Sequence, residues 1–566
     1  MSAPDIPPHL IAAPAPDLPP HQRLLEALGR MTPKAATDPP HSRRVFVNRT
    51  VRMDQVDVIG FDMDYTLALY NQPRLEALSA ACTLRKMVEK HGWPAELLGL
   101  PYDGRFGIRG LVVDMKHGNL LKMDRYGYVG CGYHGTQPLS RNERMRLYRE
   151  QQVRLTPARY SWIDTLFAIP EAVLYAQAID FLDRDPEFAA LSGDARAARY
   201  TKLWGDIRTS IDEAHRDDTI KREITTHLAD YIIQDRELAP TLHRFRSAGK
   251  KLFLLTNSGW AYTNTVMSYL LDGRLPNYQS WRSYFDSVIV DAKKPGFFAD
   301  NQPLFALDHE GRVTGPVAEP VLAPTVPLLS GQPTLYQGGN VRVLSEVLGL
   351  SGDRVLYIGD HIYGDMLRAK RSSVWRTAMV VQELEDELQL HAQVEGSLQQ
   401  LEALERRRHR IDAELRYQQL LAQHLTELES LAAVPSEASE PAREPIVELL
   451  PGLGATSLSE LGLADPGTRL EVLGAARRQL RSRIDELHAG LDEAAAEICR
   501  LEKEIEHTFN PFWGPLLKEG TENSRLGEQV EDYACLYTSR VSNFLAYSPF
   551  QYFRSPRDHL PHERVY

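Results

Sequence analysis

The segment between Val56 and Asp64 constrains this chain most. Residues 56–61 form a largely apolar run, and two carboxylates, Asp62 and Asp64, follow it two positions apart. Such a run is typical of a buried parallel strand, and side chains at i and i+2 of an extended segment point the same way. Asp62 and Asp64 are therefore predicted to converge on one ligand at the strand's carboxyl end, where open α/β sheets bind ligands. An isolated Asp-Xaa-Asp is also typical of a solvated turn.

Three later segments favour the catalytic interpretation. Residues 251–258, 288–295 and 355–365 each read as a strand that ends in polar side chains: first hydroxyl groups, then a lysine, then a second acidic pair. Four strands that stop at different polar functions predict a shared catalytic site. Helical patterns at 240–248, 262–271 and 341–348 separate the strands, and 376–381 reads as the last strand, so the sequence predicts a parallel sheet with right-handed crossovers. Two close carboxylates suit a hard cation such as Mg²⁺.

At these residues the chain resembles the haloacid dehalogenase superfamily and, more closely, the cytosolic purine 5'-nucleotidase family, whose members prefer IMP and GMP. The resemblance covers most of residues 44–382 and resumes near 512. It implies a haloacid dehalogenase-like Rossmannoid parallel sheet core, a large inserted cap domain and a C-terminal helical, coiled-coil-like extension. The matching segments are 44–49, 60–68, 109–112, 118–122, 359–362, 375–377 and 533–563.

The resemblance also implies a mechanism. Asp62 would attack phosphorus and form an aspartyl-phosphate, while Asp64 protonates the leaving ribose oxygen and later activates water. Thr256 and Lys294 would hold the equatorial phosphoryl oxygens. Lys294 is preferred over its neighbour Lys293 because the family's lysine directly precedes proline. A nucleoside could intercept the intermediate in place of water, so phosphotransferase activity is implied as well.

The remaining core residues have supporting roles in this scheme. Mg²⁺ would be held by Asp62, the backbone carbonyl of Asp64, Asp360 and the substrate phosphate, and Asp365 would orient the acidic cluster. Asn257 and Ser258 would support the phosphate cradle.

Residues 73–237 form the predicted cap, with helices at 75–90, 170–182 and 200–212 and a Gly-rich extended portion at 104–135. Arg208, Asp212 and His215 recur at spacings of four and three and share one helix face. They match the family's purine-reading helix, although a surface ion pair would give the same pattern. Phe167 resembles the family's base-stacking aromatic residue, with a core phenylalanine as the alternative.

An effector pocket is less well matched. Arg154, Tyr363 and Arg371 occupy positions that correspond to the family's nucleotide effector site. However, Asp164 stands where the family has an amide, and Glu522 replaces a basic residue. An acid beside a polyphosphate repels it, so the sequence disfavours activation by ATP.

Five regions are predicted along the chain. Residues 1–43 are a Pro-rich flexible leader; 44–72 and 238–382 are the catalytic core; 73–237 is the cap; and 512–566 packs on the core. Residues 299–335 are expected to form a loop or hairpin, and 336–340 to open the helix at 341–348. Residues 383–511 lie between the catalytic core and the C-terminal segment. They show two heptad patterns around a Pro-rich connector at 432–468, which predicts either a self-packed helical hairpin or an oligomerising arm.

Composition excludes several other classes. The chain of 566 residues has a net charge of −11, so a nucleic acid partner is not expected. It is 43% hydrophobic and 25% charged, and no apolar run approaches the ~20 residues of a membrane span, so none is expected. Four cysteines without metal or redox spacing predict reduced thiols in the cytoplasm. The expected protein is a homo-oligomer, dimer or tetramer, that binds a purine nucleoside monophosphate. The alternatives are a phosphatase for another small phosphorylated metabolite and a non-catalytic scaffold that uses the helical arm.

Overall fold

A computed structural model of the chain describes residues 19, 21, 22, 24, 39–148, 156, 158–317, 334–348, 352–367, 375–432, 465–557 and 561–563. The predicted leader and the Pro-rich connector lie almost wholly outside these residues. The chain divides into two compact units. One comprises residues up to Gln389 and from Pro515 onward, and the other runs from Leu390 to Gly514.

The described strands are numbered in chain order. They are β1 (Phe46–Val47), β2 (Val51–Arg52), β3 (Val58–Phe61), β4 (Leu69–Tyr70), β5 (Val112–Asp114), β6 (Asn119–Met123), β7 (Val129–His134), β8 (Gln137–Pro138), β9 (Tyr160–Trp162), β10 (Ile232–Ile233), β11 (Lys251–Leu255), β12 (Ser287–Val290), β13 (Leu304–Leu307), β14 (Val313–Pro316), β15 (Thr334–Gly338), β16 (Val355–Gly359), β17 (Arg376–Val380), β18 (Lys518–Glu519), β19 (Glu522–Asn523), β20 (Leu536–Thr538) and β21 (Tyr552–Phe553).

The described α-helices are numbered in the same way. They are α1 (Gln72–His91), α2 (Arg141–Tyr148), α3 (Ile169–Asp183), α4 (Pro186–Ala189), α5 (Gly193–Arg216), α6 (Thr219–Thr226), α7 (Leu228–Tyr231), α8 (Leu238–Ser247), α9 (Trp260–Leu271), α10 (Val341–Leu348), α11 (Leu384–Ala432), α12 (Pro466–Phe509) and α13 (Arg525–Tyr533). Among the described helices, none combines the length and apolar character that a bilayer crossing requires.

The core is a ten-stranded sheet in the order β1-β20-β17-β16-β3-β11-β12-β15-β13-β14. The seven strands from β20 to β15 in that order are parallel. All four residues of β3 are buried, as expected for a central strand covered on both faces. The predicted α/β core is confirmed, and the carboxyl ends of β3, β11, β12 and β16 meet at one edge.

One strand of this sheet differs from the prediction. The helix expected at 341–348 occurs as α10, and Asn340 caps it by accepting from the N–H groups of Arg342 and Val343, but Thr334–Gly338 before it is a strand, β15, which pairs in parallel with β12. The hairpin of β13 and β14 then extends the sheet through antiparallel pairing of β13 with β15. The turn after β15 uses Gly338 and Gly339 at φ of 71° and 86°, a conformation that favours glycine. Unlike β11 or β16, β15 has no continuous apolar run, because only Leu335 and Tyr336 of its five residues are apolar or aromatic, so its sequence does not indicate a strand.

The insertion between β3 and β11, which the sequence predicts to be a cap, contains its own antiparallel sheet in the order β8-β7-β6-β5-β9. Helices α1, α3 and α5 pack against one another beside it. The predicted cap helices all occur, and α5 is longer than expected because it begins at Gly193, where Ser192 caps it by accepting from the Ala195 N–H.

The second unit is an antiparallel helical hairpin. Three ion pairs show this arrangement, because residues later in α12 pair with residues earlier in α11. The pairs are Arg477 with Glu429, Arg483 with Glu414 and Glu493 with Arg407. Val394, Leu501 and Ile505 form part of its apolar seam. The heptad positions of the two helices therefore pack on each other within one chain, which is the hairpin alternative of the prediction.

Candidate active site

Three buried carboxylates meet at the carboxyl edge of the core sheet. Asp62 follows β3 and donates its backbone N–H to the Ile358 carbonyl, 2.8 Å away, which continues the pairing with β16. Asp360 and Asp365 follow β16, and carboxyl oxygens of Asp62, Asp360 and Asp365 lie within 4.8 Å of one another. Oxygen ligands at this spacing are what a hard divalent cation prefers. The donor set therefore fits Mg²⁺.

Lys294 supplies the positive charge of this cluster. Its Nζ lies 2.7 Å from Asp365 Oδ1 and 2.9 Å from Asp62 Oδ1, and it donates to the Tyr357 hydroxyl at 3.0 Å. Burial alone lowers the pKa of Lys294, but the charges of Asp365 and Asp62 outweigh it and raise this pKa well above the usual value. The pKa of Asp62 is also raised, by burial first, against the opposing charge of Lys294. The cluster therefore keeps a protonated lysine beside Asp62.

The loop after β12 is bent so that Lys294 reaches the cluster. Asp291 and Lys293 have φ of 47° and 55°, a left-handed conformation that is uncommon outside glycine. The Asn257 side chain stabilises this loop, because its Oδ1 accepts from the Lys294 N–H at 2.6 Å and its Nδ2 donates to the Lys294 carbonyl at 3.0 Å. Asn257, expected at the phosphate cradle, thus holds the backbone of the lysine in this structure.

Asp64 is held by hydroxyl groups. The Tyr70 hydroxyl donates to Asp64 Oδ1 at 2.5 Å, and the Ser258 hydroxyl donates to Oδ2 at 2.8 Å. The Tyr262 hydroxyl lies 2.9 Å from that of Tyr70. Burial raises the pKa of Asp64 despite these hydrogen bonds, which favours a carboxyl group that can carry a proton. Ser258, expected to support the phosphate cradle, contacts the proposed acid and base instead.

Thr256 lies beneath the same loop. The residue is fully buried, and its Oγ1 accepts from the Ser258 N–H at 3.0 Å. This contact uses an acceptor lone pair of the hydroxyl and not its O–H donor, so a role for Thr256 as a phosphate donor stays a prediction.

The cap brings its predicted residues to this edge. Phe167 lies with its ring centroid 4.6 Å from that of Tyr65, 6.1 Å from that of Tyr70 and 5.7 Å from that of His215. It therefore joins the loop that carries Asp64 to helix α5. The Phe167 ring makes edge-on contacts with these rings. This position is compatible with both predictions, a core phenylalanine and a ring that stacks on the base.

Arg208, Asp212 and His215 lie along α5 as predicted. Arg208 and Asp212 are exposed and His215 is half-buried. Burial, with help from the charge of Lys221, lowers the pKa of His215 to about 4. His215 is therefore neutral near pH 7 and offers one donor and one acceptor.

Glu171 is a candidate that sequence reasoning did not single out. Its carboxyl is buried and lies 3.5 Å from Arg208 Nε, and among the described residues Oε2 has no hydrogen-bond partner. Burial raises its pKa to about 7, and Arg208 opposes this shift. A buried acceptor beside an exposed guanidinium group is suited to reading a polar ligand edge.

Glu171 predicts a pH-dependent stability difference. Below about pH 4.5 the carboxyl is protonated in both states; between there and pH 7 it ionises only in the unfolded state, so stability falls as pH rises. Relative to Glu171→Gln, the wild type is therefore expected to lose about 1–3 kcal/mol of unfolding free energy between pH 5 and pH 8. Urea unfolding of both proteins measures this, with the exposed Glu187→Gln as the control for loss of a carboxylate. A wild-type-to-variant difference that is the same at both pH values contradicts the prediction.

Other contributors were missed because their role depends on chain folding. The sequence does not single out Tyr70 or Tyr262, and Lys221 lies on α6 with its Nζ 5.7 Å from the Tyr262 ring centroid. Burial raises the pKa of Asp64, and the charge of Lys221 opposes part of this rise. Tyr70 follows Asp64 by six residues, a spacing at which neither a helix nor a strand brings two side chains into contact. Only the β4 strand that follows the loop returns Tyr70 to the carboxylate.

The expected effector residues fall at the limits of the described chain. Arg154 and Arg371 lie outside the described residues, and Tyr363 belongs to a π-helical turn, Ile362–Leu367, with its side chain not described. Asp164 Oδ2 lies 3.4 Å from His361 Nε2, next to Asp360. Glu522 lies in β19, a two-residue strand paired with β18. An effector site remains a prediction.

Two solved structures align with more than half of the chain. They are the HAD-hydrolase YfnB of Bacillus subtilis, bound to magnesium, and a 2-haloacid dehalogenase of Pseudomonas syringae. Each shares 13% identity and covers 57% of this chain and 86% of its own, with TM-scores of 0.19 and 0.18. The core fold is assigned here from the strand order and not from these alignments.

Sequence relatives cover more. A 5'-nucleotidase domain-containing protein of Dictyostelium discoideum is 25% identical over 526 residues, which are 92% of this chain and 74% of that protein. The 5'-nucleotidase domain-containing protein 2 of Rattus norvegicus is 31% identical over 366 residues, 61% of this chain and 60% of that protein. The profile of the 5'-nucleotidase family matches residues 45–565, from β1 through the core, cap and hairpin to the C-terminal segment. This chain therefore belongs to the 5'-nucleotidase family of hydrolases.

Proposed function

We propose that this protein is a Mg²⁺-dependent 5'-nucleotidase that hydrolyses purine nucleoside 5'-monophosphates, with IMP and GMP preferred. The observation that carries the proposal is the placement of Lys294 between Asp62 and Asp365, with Asp64 two residues beyond Asp62 at the same edge. This arrangement provides a nucleophile, a fixed cation and a second carboxyl for proton transfer.

Asp62 is the proposed nucleophile. Its Oδ1 is held by Lys294 and by the Met63 N–H at 2.7 Å, which leaves Oδ2 as the atom directed at phosphorus. Attack forms the bond between Oδ2 and phosphorus and breaks the bond to the ribose 5'-oxygen, which takes a proton from Asp64. Water then attacks phosphorus, Asp64 takes the proton of the water, and the bond to Asp62 breaks. A nucleoside hydroxyl in place of water gives phosphotransfer.

Asp62, Asp360 and Asp365 would hold or orient the cation, with the Asp64 carbonyl as a further ligand. Bound Mg²⁺ would offset the charge of the phosphoryl group. Lys294 adds a second positive charge whose position is already fixed by Asp365 and Tyr357. Fixed charges of this kind stabilise a transition state without reorganising when charge develops.

Base selectivity is assigned to the cap. Arg208 and Asp212 on α5 offer a donor group and an acceptor group, and neutral His215 offers both. Phe167 lies between His215 and Tyr70, whose hydroxyl binds Asp64. A ligand that reaches from Asp62 past Phe167 to Arg208 has a phosphate at one end and a polar heterocycle at the other. A 6-oxopurine nucleotide has this form.

Phosphate release tests the proposal. IMP, GMP, AMP, CMP and a sugar phosphate are compared with Mg²⁺ and with chelator. Release that requires Mg²⁺ and favours IMP and GMP supports the proposal. Release from the sugar phosphate alone supports a phosphatase for another small metabolite, an alternative compatible with Arg208 acting only as an ion pair with Glu171. No release from any substrate supports the scaffold alternative, although each proposed catalytic group is present.

Arg208→Ala separates the two phosphatase alternatives. If Arg208 reads the base, kcat/KM for IMP relative to the sugar phosphate is expected to fall about 10–100-fold, the loss of one or two charge-assisted hydrogen bonds. Arg199→Ala, an exposed arginine earlier on the same helix, is the matched control and should leave the ratio unchanged. Equal ratios for both variants would assign Arg208 to the surface ion pair.

A further inference from the structure

Arg109 is a fully buried cation that the proposed mechanism does not use. Its guanidinium group forms a two-pronged pair with Glu383, with Nε at 2.7 Å and Nη2 at 2.6 Å from the two carboxylate oxygens. The third nitrogen, Nη1, donates to the backbone carbonyl of Asp360 at 3.1 Å. The Arg109 side chain has no exposed surface, whereas that of Glu383 is 28% exposed.

These contacts join three separate parts of the chain. Arg109 belongs to the insertion between β3 and β11 and lies three residues before β5. Glu383 immediately precedes helix α11. Asp360 follows β16 and contributes its carboxylate to the acidic cluster. The guanidinium group thus fixes the peptide that carries a proposed metal ligand, relative to two elements outside the sheet.

The energetics indicate a role other than stability. Removing a guanidinium group from water is costly, and a buried ion pair returns little net stability compared with apolar packing. The planar fork of arginine fixes direction, however, because two of its nitrogens bind one carboxylate in a single orientation. With Glu383 holding two nitrogens, Nη1 points at the Asp360 carbonyl. An ammonium group would lack this geometry.

We propose that Arg109 is a positioning residue for Asp360: it holds the Asp360 peptide so that the carboxylate is presented to the cation, and Glu383 orients Arg109 for this purpose. The inference rests on the proposed function of the acidic cluster as a Mg²⁺ site. Asp360 follows the last residue of β16, where strand pairing no longer fixes the backbone. A ligand at the end of a strand therefore needs an external partner, as orienting partners of metal ligands generally provide.

The test measures Mg²⁺ binding without substrate. Mg²⁺ is titrated against the shift in unfolding temperature, which gives an apparent Kd for each full-length variant relative to its own metal-free form. Arg109→Lys and Arg109→Met are expected to weaken Mg²⁺ binding about 10–100-fold, as loss of an orienting partner typically does. Their kcat should recover in part at saturating Mg²⁺, with KM for the nucleotide little changed. Arg105→Met, at an exposed arginine, is the matched control and should bind as wild type.

Glu383→Gln keeps the inference testable if the Arg109 variants do not fold. The amide keeps one acceptor but loses the second, so Mg²⁺ binding is expected to weaken less, in the same direction. Wild-type affinity in folded Arg109 variants, or in Glu383→Gln when those do not fold, overturns the inference and leaves the proposed function standing. Failure of the wild type itself to respond to Mg²⁺ overturns both.

Discussion

Replacing Asp62 with asparagine is expected to abolish phosphate release, with kcat falling at least roughly 10³-fold, as loss of a catalytic nucleophile does. The amide cannot form an acyl phosphate and is a poor ligand for a hard cation. The fold should survive, because the amide oxygen can still accept from Lys294 and from the Met63 N–H. Steady-state phosphate release measures the loss.

The control is Asp54→Asn, the same substitution at an exposed residue shortly before β3. It should retain full activity. Because burial raises the pKa of Asp62, ionisation of that carboxyl is unfavourable in the folded state. Asp62→Asn should therefore unfold at a temperature at least equal to that of the wild type at pH 8. Activity within tenfold of wild type would remove Asp62 from the mechanism.

Replacing Lys294 with methionine is expected to remove both activity and stability. Buried carboxylates of Asp62 and Asp365 would lose their shared cation, which costs about 3–5 kcal/mol when one partner of a buried pair is removed. In the unfolded chain Asp62 ionises near its usual pKa, whereas burial raises its pKa in the folded protein and the introduced methionine would no longer supply the charge that opposes this rise. Stability of the variant should therefore fall as pH rises above about 4 and be lowest at pH 8. Urea unfolding at pH 5 and pH 8 measures this, alongside kcat.

Lys293→Met is the matched control, since Lys293 is the exposed neighbour with the same side chain. It should change activity and unfolding free energy little. The pair of variants also tests the choice of Lys294 over Lys293, which at the level of sequence rested on the proline that follows. Comparable losses in both variants would show that the loop conformation matters and not the ammonium group of Lys294.

Much of the core could be predicted because strand ends carry the information. A buried strand and the polar residue that ends it are adjacent in sequence, and parallel pairing brings such ends together whatever the connections are. Asp62 and Asp360 therefore meet as a consequence of topology, whereas Lys294 also requires the bent loop after β12 to reach them. The helices of the cap were identifiable for a similar reason, since their apolar periodicity is local.

The rest depends on contacts between distant segments. Glu171 has an elevated pKa because folding buries its carboxyl group, and Arg208 on the distant helix α5 opposes this rise. Arg109 lies in a segment without strand or helix pattern, and its partners, Glu383 and the Asp360 carbonyl, are far away in sequence. The assignment of Asn257 to the phosphate cradle used residue type alone, and residue type does not reveal that its amide matches the Lys294 backbone.

The placement of β20 between β1 and β17 has a consequence for biosynthesis. β1 leaves the ribosome long before its described partner in the sheet, β20, because the rest of the core, the insertion and the helical hairpin are translated between them. About 156 residues separate the end of β17 from β20, so at roughly 5–20 residues per second the nascent chain spends about 8–30 s with the β17 edge uncovered. Unpaired edges are templates for association with other chains. Polypeptides released before Leu536 is added should therefore depend on chaperones and accumulate as aggregates, even though the residues from Asp62 to Asp365 have all been made.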